Sequence, residues 1–126
     1  MGAWGHLFDE NDDAADWLAD FADAPDWSTV DAAMVHGEQY VEAPDASNAL
    51  AAAEIVAAAI GNASPRLDAA VMEWASGQSD QGNSRREAAI KAAKRVRDDS
   101  ELSELWEDSD EFEGWKQSVD ETIARL

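Results

Sequence analysis

Cysteine is absent from this chain of 126 residues, which excludes a disulfide framework, a thiolate nucleophile and a zinc site built on sulfur. The two histidines, His6 and His36, have no second histidine four residues away, so we interpret each as a loop or helix-end residue. A Gly-x-Ser-x-Gly nucleophile elbow and a glycine-rich phosphate loop are also missing. These absences favour a protein that is not an enzyme and that carries no cofactor.

Long apolar segments are lacking as well. The longest runs from Ala49 to Ile60 and is interrupted by Glu54, whereas a membrane-spanning helix needs about 20 apolar residues. The first residues have neither the basic region nor the apolar core of a secretory signal. We therefore expect a cytoplasmic protein that does not enter a membrane.

Positive charge is missing from the first half of the chain. Thirteen of the 28 acidic residues precede Arg66 without a single lysine or arginine, and the other 15 share the remainder with all nine basic residues. The net charge of −19 therefore divides into −13 and −6. Such acidity repels nucleic acid and anionic lipid, so we expect neither as a partner. The asymmetry bears on the choice of partner rather than on the fold.

The residues that are abundant predict a helical domain. Alanine, leucine and acidic residues dominate, and β-branched residues are few, which favours helices over strands. Six tryptophans are too many for an acidic disordered segment, and the length suits one domain with its own core. Start and stop signals place six or seven helices. We predict a compact, all-α, single-domain bundle over residues 1–126.

Two of the predicted helices set the architecture. The first is capped by Asp9 or Asn11 and runs to about Ala22. The third begins at Asp45 and runs to Ile60, and it is apolar on nearly all faces. A helix of that kind belongs in the centre of a bundle.

The later helix starts are predicted from capping residues. Ser64 precedes a proline and opens a fourth helix, while Ser84 begins a capping box for a fifth. Between them, residues 77–83 are polar and contain glycine, so we predict the longest flexible loop there. The fifth helix is the only basic element, and we expect it to pack near acidic neighbours. We predict that the last two helices start at Ser100 and at about Asp110.

The start of the first helix carries oxygen ligands at alternate positions. Asp9, Asn11 and Asp13 match the opening of an EF-hand calcium loop. The remainder does not fit, because Ala14 replaces the turn glycine and Asp20 replaces the bidentate glutamate. We interpret the segment as a capped helix start whose acids complement the helix dipole. A weakly bound divalent cation stays an open alternative.

Asp12, Asp16 and Asp20 recur every four residues along the same helix. They therefore lie on one face, where like charges repel by about 0.2–0.5 kcal/mol per pair. One interpretation is a negatively charged surface for a basic partner. The other is a solvated face in a host whose proteins are acidic throughout.

Glu54 is the carboxylate whose position is most informative, because it interrupts the most apolar helix. An ionised group there is costly unless it is paired. We expect a partner in Arg66, in an arginine of the fifth helix or in a tryptophan indole N–H. The rival interpretation is a pocket in which a carboxylate of raised pKa transfers protons or binds a ligand.

Three blocks of sequence match the pattern of a known family. They are Met1-Gly2-Ala3-Trp4-Gly5 with Phe8, Asn11-Asp12-Asp13-Ala14 and Asp16-Trp17; Glu42-Ala43-Pro44 with Ser47, Ala49-Leu50-Ala51-Ala52-Ala53-Glu54 and Val56; and Ser100-Glu101-Leu102 with Leu105-Trp106. With these blocks the chain resembles the bacterial and archaeal family called domain of unknown function 4259. His6-Leu7 departs from the family, whose members commonly carry Thr-Gly there. The resemblance implies one small helical domain and no established reaction.

The leading hypothesis is a non-enzymatic interaction module that presents an acidic helical face to a basic protein, as an immunity protein or an inhibitor does. The alternative is an enzyme or a ligand-binding domain with a carboxylate pocket around Glu54, in which a small molecule or a divalent metal binds. We assign no catalytic residue. The candidate binding residues, chosen from the acidic face and from the sharpest part of the family pattern, are Trp4, Asn11, Asp12, Asp13, Asp16, Trp17, Asp20, Glu42 and Glu54.

Overall fold

A computed structural model describes residues 11–37 and 39–126 of the chain. All seven elements in these ranges are helices, which confirms the all-α prediction. They are α1 (Asp12–Asp23), α2 (Trp27–Met34), α3 (Ala43–Ala59), α4 (Ala69–Ala75), α5 (Ser79–Asp98), α6 (Glu101–Glu107) and α7 (Phe112–Arg125). Trp4, His6 and Asp9, which are all named in the sequence predictions, lie outside the described ranges. No helix within those ranges combines the length and apolar character needed to cross a bilayer.

Helix α3 is the centre of the bundle, as its apolar character predicts. Every residue from Ala49 to Ala59 is buried, and α3 contacts each of the other six helices. Its alanine side chains are small, so neighbouring helices approach closely. The closest approach involves Gly82 of α5, where an added Cβ would lie 2.7 Å from the Cβ of Ala59.

Side-chain caps fix several helix starts. The Oδ1 atom of Asn11 accepts a hydrogen bond of 2.8 Å from the backbone N–H of Ala14, which confirms one of the two predicted caps of α1. Ser100 caps α6 through a reciprocal capping box with Ser103, and its start is also confirmed. Each cap satisfies donors that the first turn of a helix leaves unpaired.

The prediction of a long loop at residues 77–83 is wrong. Helix α5 begins at Ser79 and includes Gly82, which is buried against α3. Local polarity and glycine content favour a loop, but the close contact with Ala59 requires a residue without a side chain. Tertiary packing therefore overrides local propensity here.

Two other predicted helix starts are displaced. Helix α3 begins at Ala43 rather than Asp45, because Pro44 fits the first turn and the Ala43 N–H donates to Glu101 Oε1 at 2.9 Å. Helix α4 begins at Ala69, well after Ser64. Its cap is Asp68, whose Oδ1 accepts from the Ala70 N–H at 2.8 Å.

An aromatic cluster joins α1, α2, α4 and α5. Trp17 stacks on Phe21 with ring centroids 5.5 Å apart, and Phe21 meets Trp74 edge to face at 5.2 Å. Trp74 then contacts Trp27 at 5.0 Å, and the Arg85 guanidinium lies 4.8 Å from the centroid of the Trp27 ring. Trp17 lies at one end of this series of ring contacts, which hold its half-buried side chain in place.

The basic helix α5 pairs with acidic neighbours, as expected from its composition. Arg85 binds Asp31 of α2 through two hydrogen bonds of 2.7 and 3.1 Å. Arg97 binds Asp120 of α7 at 2.7 Å and Asp98 at 2.8 Å. These pairs raise the pKa of Arg97 and lower the pKa of Asp98, chiefly through the hydrogen bonds that join the two side chains.

Candidate functional site

The acidic face of α1, formed by Asp12, Asp16 and Asp20, is exposed along its whole length. None of the three carboxylates makes an ion pair within the described part of the chain. This arrangement contrasts with Asp31 and Asp120, each of which has an arginine partner. Among the described residues, no basic side chain therefore compensates the negative charge of the acidic face.

Trp17 connects the acidic face to a cleft. It is half-buried, and on the surface of α1 it lies next to Asp13 and Asp20, which are four residues before it and three residues after it. Its ring also forms part of the wall of the cleft. The negative charge and the concave surface are therefore contiguous.

The cleft has a volume of about 620 Å³ and opens between α1, α2 and the start of α3. Polar and aromatic side chains dominate its wall. It is lined by Trp17, Ser28, Thr29, Ala32, Ala33, Val35, His36, Gln39, Tyr40, Asp45 and Asn48. Asp45 is acidic, and no lysine or arginine is present in this set.

Two buried polar atoms of the cleft residues have no hydrogen-bond partner among the described residues. They are Nε2 of His36 and Oδ1 of Asn48. Burial is the main cause that lowers the pKa of His36, and Arg95 lowers it further, while Asp45 opposes the shift. The imidazole is consequently neutral at physiological pH and offers one acceptor nitrogen. A ligand with hydrogen-bond donors would satisfy Oδ1 of Asn48, and it would satisfy Nε2 of His36 when the ring proton is on Nδ1.

Val35 and Tyr40 contribute large exposed side chains to the cleft. Val35 is 73% exposed and Tyr40 is 53% exposed, which is unusual for large apolar side chains in this fold. The Tyr40 hydroxyl donates to Glu104 Oε2 at 2.7 Å, and this hydrogen bond is the main cause that raises the pKa of Tyr40 to about 12. The phenol is therefore neutral and its ring is anchored at the cleft.

Glu54 is fully buried in α3, and its partner is Arg125 of α7. The expected partners in Arg66, the fifth helix or a tryptophan are therefore wrong. Oε2 of Glu54 and Nε of Arg125 have no hydrogen-bond partner among the described residues. Glu54 is not among the residues that line the cleft between α1, α2 and the start of α3. The ion pair joins the middle of the central helix to the end of α7.

The structure brings together only some of the candidate residues. Asn11, Asp13 and Trp17 all belong to the start of α1, where Asn11 is the cap. Glu42 is exposed at the N-terminal end of α3, twelve residues before Glu54. At about 1.5 Å per residue, the two glutamates lie about 18 Å apart along the helix axis. No group of three or more histidine or carboxylate side chains within the described ranges is arranged to hold a metal ion.

Sequence reasoning missed most of the cleft and the partner of Glu54. His36 is correctly interpreted as a loop residue, but its proximity to Tyr40, Asp45 and Asn48 depends on how α2 and α3 pack. One local signal was available, because Asn48 is the only amide side chain of α3, a helix that is mostly alanine. Arg125 gives no such signal, since it lies 71 residues from Glu54.

The fold and the site define an acidic, all-α domain with an aromatic cleft beside a row of aspartates. The family model described as "Domain of unknown function (DUF4259)" matches residues 2–118, and the chain belongs to this family. No curated protein and no solved structure matches the chain. The match confirms the resemblance drawn from the sequence blocks and assigns no reaction.

Proposed function

We propose that this protein is a non-enzymatic interaction module that presents the acidic face of α1 to a basic protein partner. The observation that carries the proposal is the absence of compensating cations around Asp12, Asp16 and Asp20 in the described part of the chain. Like charges at four-residue spacing destabilise the isolated helix. Cations supplied by a partner would remove that repulsion on binding.

The segregation of charge within the chain supports the same proposal. Six of the nine basic residues belong to α5, and the residues before Arg66 include none. A surface with uncompensated charge of one sign accelerates the encounter with a partner of opposite charge. An immunity protein or an inhibitor that must capture a basic target quickly has this requirement.

The proposed surface also has apolar contact area. Trp17, Val35 and Tyr40 lie beside the aspartates or at the adjoining cleft. Charge gives orientation and speed of association, whereas aromatic side chains in partly buried positions supply most of the binding energy in protein interfaces. We propose a cytoplasmic location, which agrees with the lack of cysteine.

A charge-matched capture experiment tests the proposed function. The wild-type protein, the acidic-face variant (D12N/D16N/D20N) and a control variant (E107Q/D110N/E121Q) are immobilised and exposed to lysate of the host at physiological salt. The control removes three exposed carboxylates from the region of α6 and α7. Both variants therefore lose the same net charge.

The expected result is a basic protein retained in stoichiometric amount by the wild type and the control variant, and lost from the acidic-face variant. Retention of the same proteins by all three, or the loss of binding from both variants alike, would contradict the proposal. The first outcome removes the acidic face as the contact surface. The second shows that net charge alone governs retention.

A ligand-binding function centred on Glu54 is the second candidate. The observation in its favour is the unpartnered Oε2 atom of this buried glutamate. Calorimetric titration with Ca²⁺, Mg²⁺ and Mn²⁺ tests the metal form of this candidate. Binding that is abolished by Glu54→Gln would support it, and binding unaffected by that substitution would oppose it.

A further inference from the structure

We infer that the cleft between α1, α2 and the start of α3 receives one arginine side chain of the basic partner. This inference rests on the proposed function, because it assumes that the partner is basic, and it adds which side chain is recognised and where. The argument uses the charge, the aromatic walls and the unpartnered acceptors of the cleft.

The charge of the cleft selects a cation. Asp45 contributes a carboxylate, and the set of lining residues includes no lysine or arginine. Asp13 and Asp20 flank Trp17 on the surface of α1, and both are exposed. The Arg95 guanidinium donates to the backbone carbonyl of Gln39, a cleft residue, but the three carboxylates outnumber this one cation, so a cation entering the cleft is favoured over an anion.

The aromatic walls suit a planar cation. Trp17 is half-buried and Tyr40 is about half exposed, and both line the cleft. One face of the Trp17 ring stacks on Phe21, which leaves its other face for a ligand. Guanidinium groups stack on aromatic faces more readily than ammonium groups do. The protein already uses this contact elsewhere, because the Arg85 guanidinium lies 4.8 Å from the centroid of the Trp27 ring.

The unpartnered acceptors distinguish arginine from other occupants. Oδ1 of Asn48 and Nε2 of the neutral His36 imidazole are buried without donors in the described ranges. Nε2 of His36 is an acceptor in the tautomer that carries its proton on Nδ1. Arginine carries five N–H donors in a fixed plane, enough for these two atoms and for the Asp45 carboxylate, whereas lysine places three donors on one point. An apolar side chain would leave both acceptors unsatisfied, and such loss of solvation is costly.

Three peptides that differ in one side chain test this inference. They are Ac-Gly-Gly-X-Gly-Gly-NH₂, with X as arginine, lysine or citrulline, the neutral isostere of arginine. Each is titrated into ¹⁵N-labelled full-length protein, and shifts of the Trp17 indole N–H and the Asn48 side-chain amide are followed. The protein variants are Asp45→Asn and Tyr40→Leu, with Asp110→Asn as the charge-matched control. Circular dichroism verifies that each variant is folded.

The expected result is a saturable shift of the cleft resonances with the arginine peptide, a weaker response with lysine and no response with citrulline. Asp45→Asn should weaken binding about tenfold, as expected for the loss of one charge-assisted hydrogen bond. Tyr40→Leu should also weaken it, and Asp110→Asn should leave it within about twofold, because exposed distant charges are screened.

Several outcomes would overturn the inference. They are unmoved cleft resonances with the arginine peptide, equal shifts with citrulline or lysine, and binding that is insensitive to Asp45→Asn. If shifts appear only at the backbone amides of the acidic face, the cleft inference fails while the proposed function stands. If the cleft binds arginine but no basic protein is captured from the lysate, the proposed function fails instead.

Discussion

The buried ion pair between Glu54 and Arg125 leads us to predict a large loss in the free energy of unfolding when one partner is removed. The change is Arg125→Met, which keeps most of the side-chain volume and removes the charge. The carboxylate of Glu54 is fully buried, whereas 25% of the Arg125 side chain is exposed. The substitution therefore leaves a buried carboxylate without its cation. The hydrogen bond from Asn62 to the backbone carbonyl of Arg125 does not depend on the side chain and is kept.

Breaking a buried pair by removal of one partner costs about 3–5 kcal/mol. The partial exposure of Arg125 places this pair at the lower end, at about 3 kcal/mol, because water already solvates part of the guanidinium. Unfolding entropy of about 2.1 cal/mol/K per residue amounts to about 0.26 kcal/mol/K for 126 residues. The melting temperature should therefore fall by about 11 °C.

A double-mutant cycle with Glu54→Leu separates the pair energy from the burial penalty. Replacing both partners by apolar residues of similar volume is expected to be neutral to within about 1 kcal/mol, or stabilising, because no charge then requires solvation. The single Glu54→Leu change should cost less than Arg125→Met, since the partly exposed arginine can turn its charge toward water. Urea unfolding followed by circular dichroism gives each free energy.

Arg86→Met is the matched control, because Arg86 is an exposed arginine of α5. Its substitution should change the free energy of unfolding by no more than about 0.5 kcal/mol. The reasoning is refuted if Arg125→Met costs no more than this control. It is equally refuted if the double variant is as unstable as the Arg125 single variant.

Three further predictions concern packing, titration and capping. Gly82→Ala should destabilise by about 1–3 kcal/mol through overpacking against α3, whereas Asn83→Ala on the exposed side of α5 should not, and thermal unfolding compares them. Tyr40 is the only tyrosine, so absorbance at alkaline pH should show its pKa at about 12, and Glu104→Gln should return the pKa toward about 10. The stability that this hydrogen bond contributes is fully present below the unfolded-state pKa of Tyr40, and it is lost as the pH rises through the folded-state pKa. If Glu104→Gln does not move the midpoint of the Tyr40 titration, the contact between the two side chains is contradicted. Ser100→Ala should cost about 1–2 kcal/mol in urea unfolding by removing the cap of α6, and an unchanged midpoint would count against that cap.

Local patterns predict the parts of this fold that depend on neighbouring residues in the chain. The all-round apolar character of α3 places it in the centre, and Asn11 and Ser100 mark two helix starts because caps act within one turn. The start of α5 could not be predicted in this way. The same glycine that suggests a loop at residues 77–83 is required for contact with α3.

The candidate site, too, was predictable only where it depends on neighbouring residues in the chain. Trp17 and the acidic face were predictable, because helical spacing alone places them on the surface of α1. The cleft was not, because His36, Asp45 and Asn48 meet only when α2 packs against α3. The partner of Glu54 was missed for a similar reason. Any of several arginines satisfies the sequence argument for a buried carboxylate, and only the packing of α7 against α3 selects Arg125.

The most direct test of the central claim is the association rate constant with the captured basic partner, measured by stopped-flow fluorescence at several salt concentrations. The account predicts that the acidic-face variant (D12N/D16N/D20N) associates about tenfold more slowly than wild type at low salt, with a smaller dependence on ionic strength. The control variant (E107Q/D110N/E121Q) should remain close to wild type. Equal rates for the two variants at every salt concentration would contradict the claim that the acidic face of α1 directs the encounter.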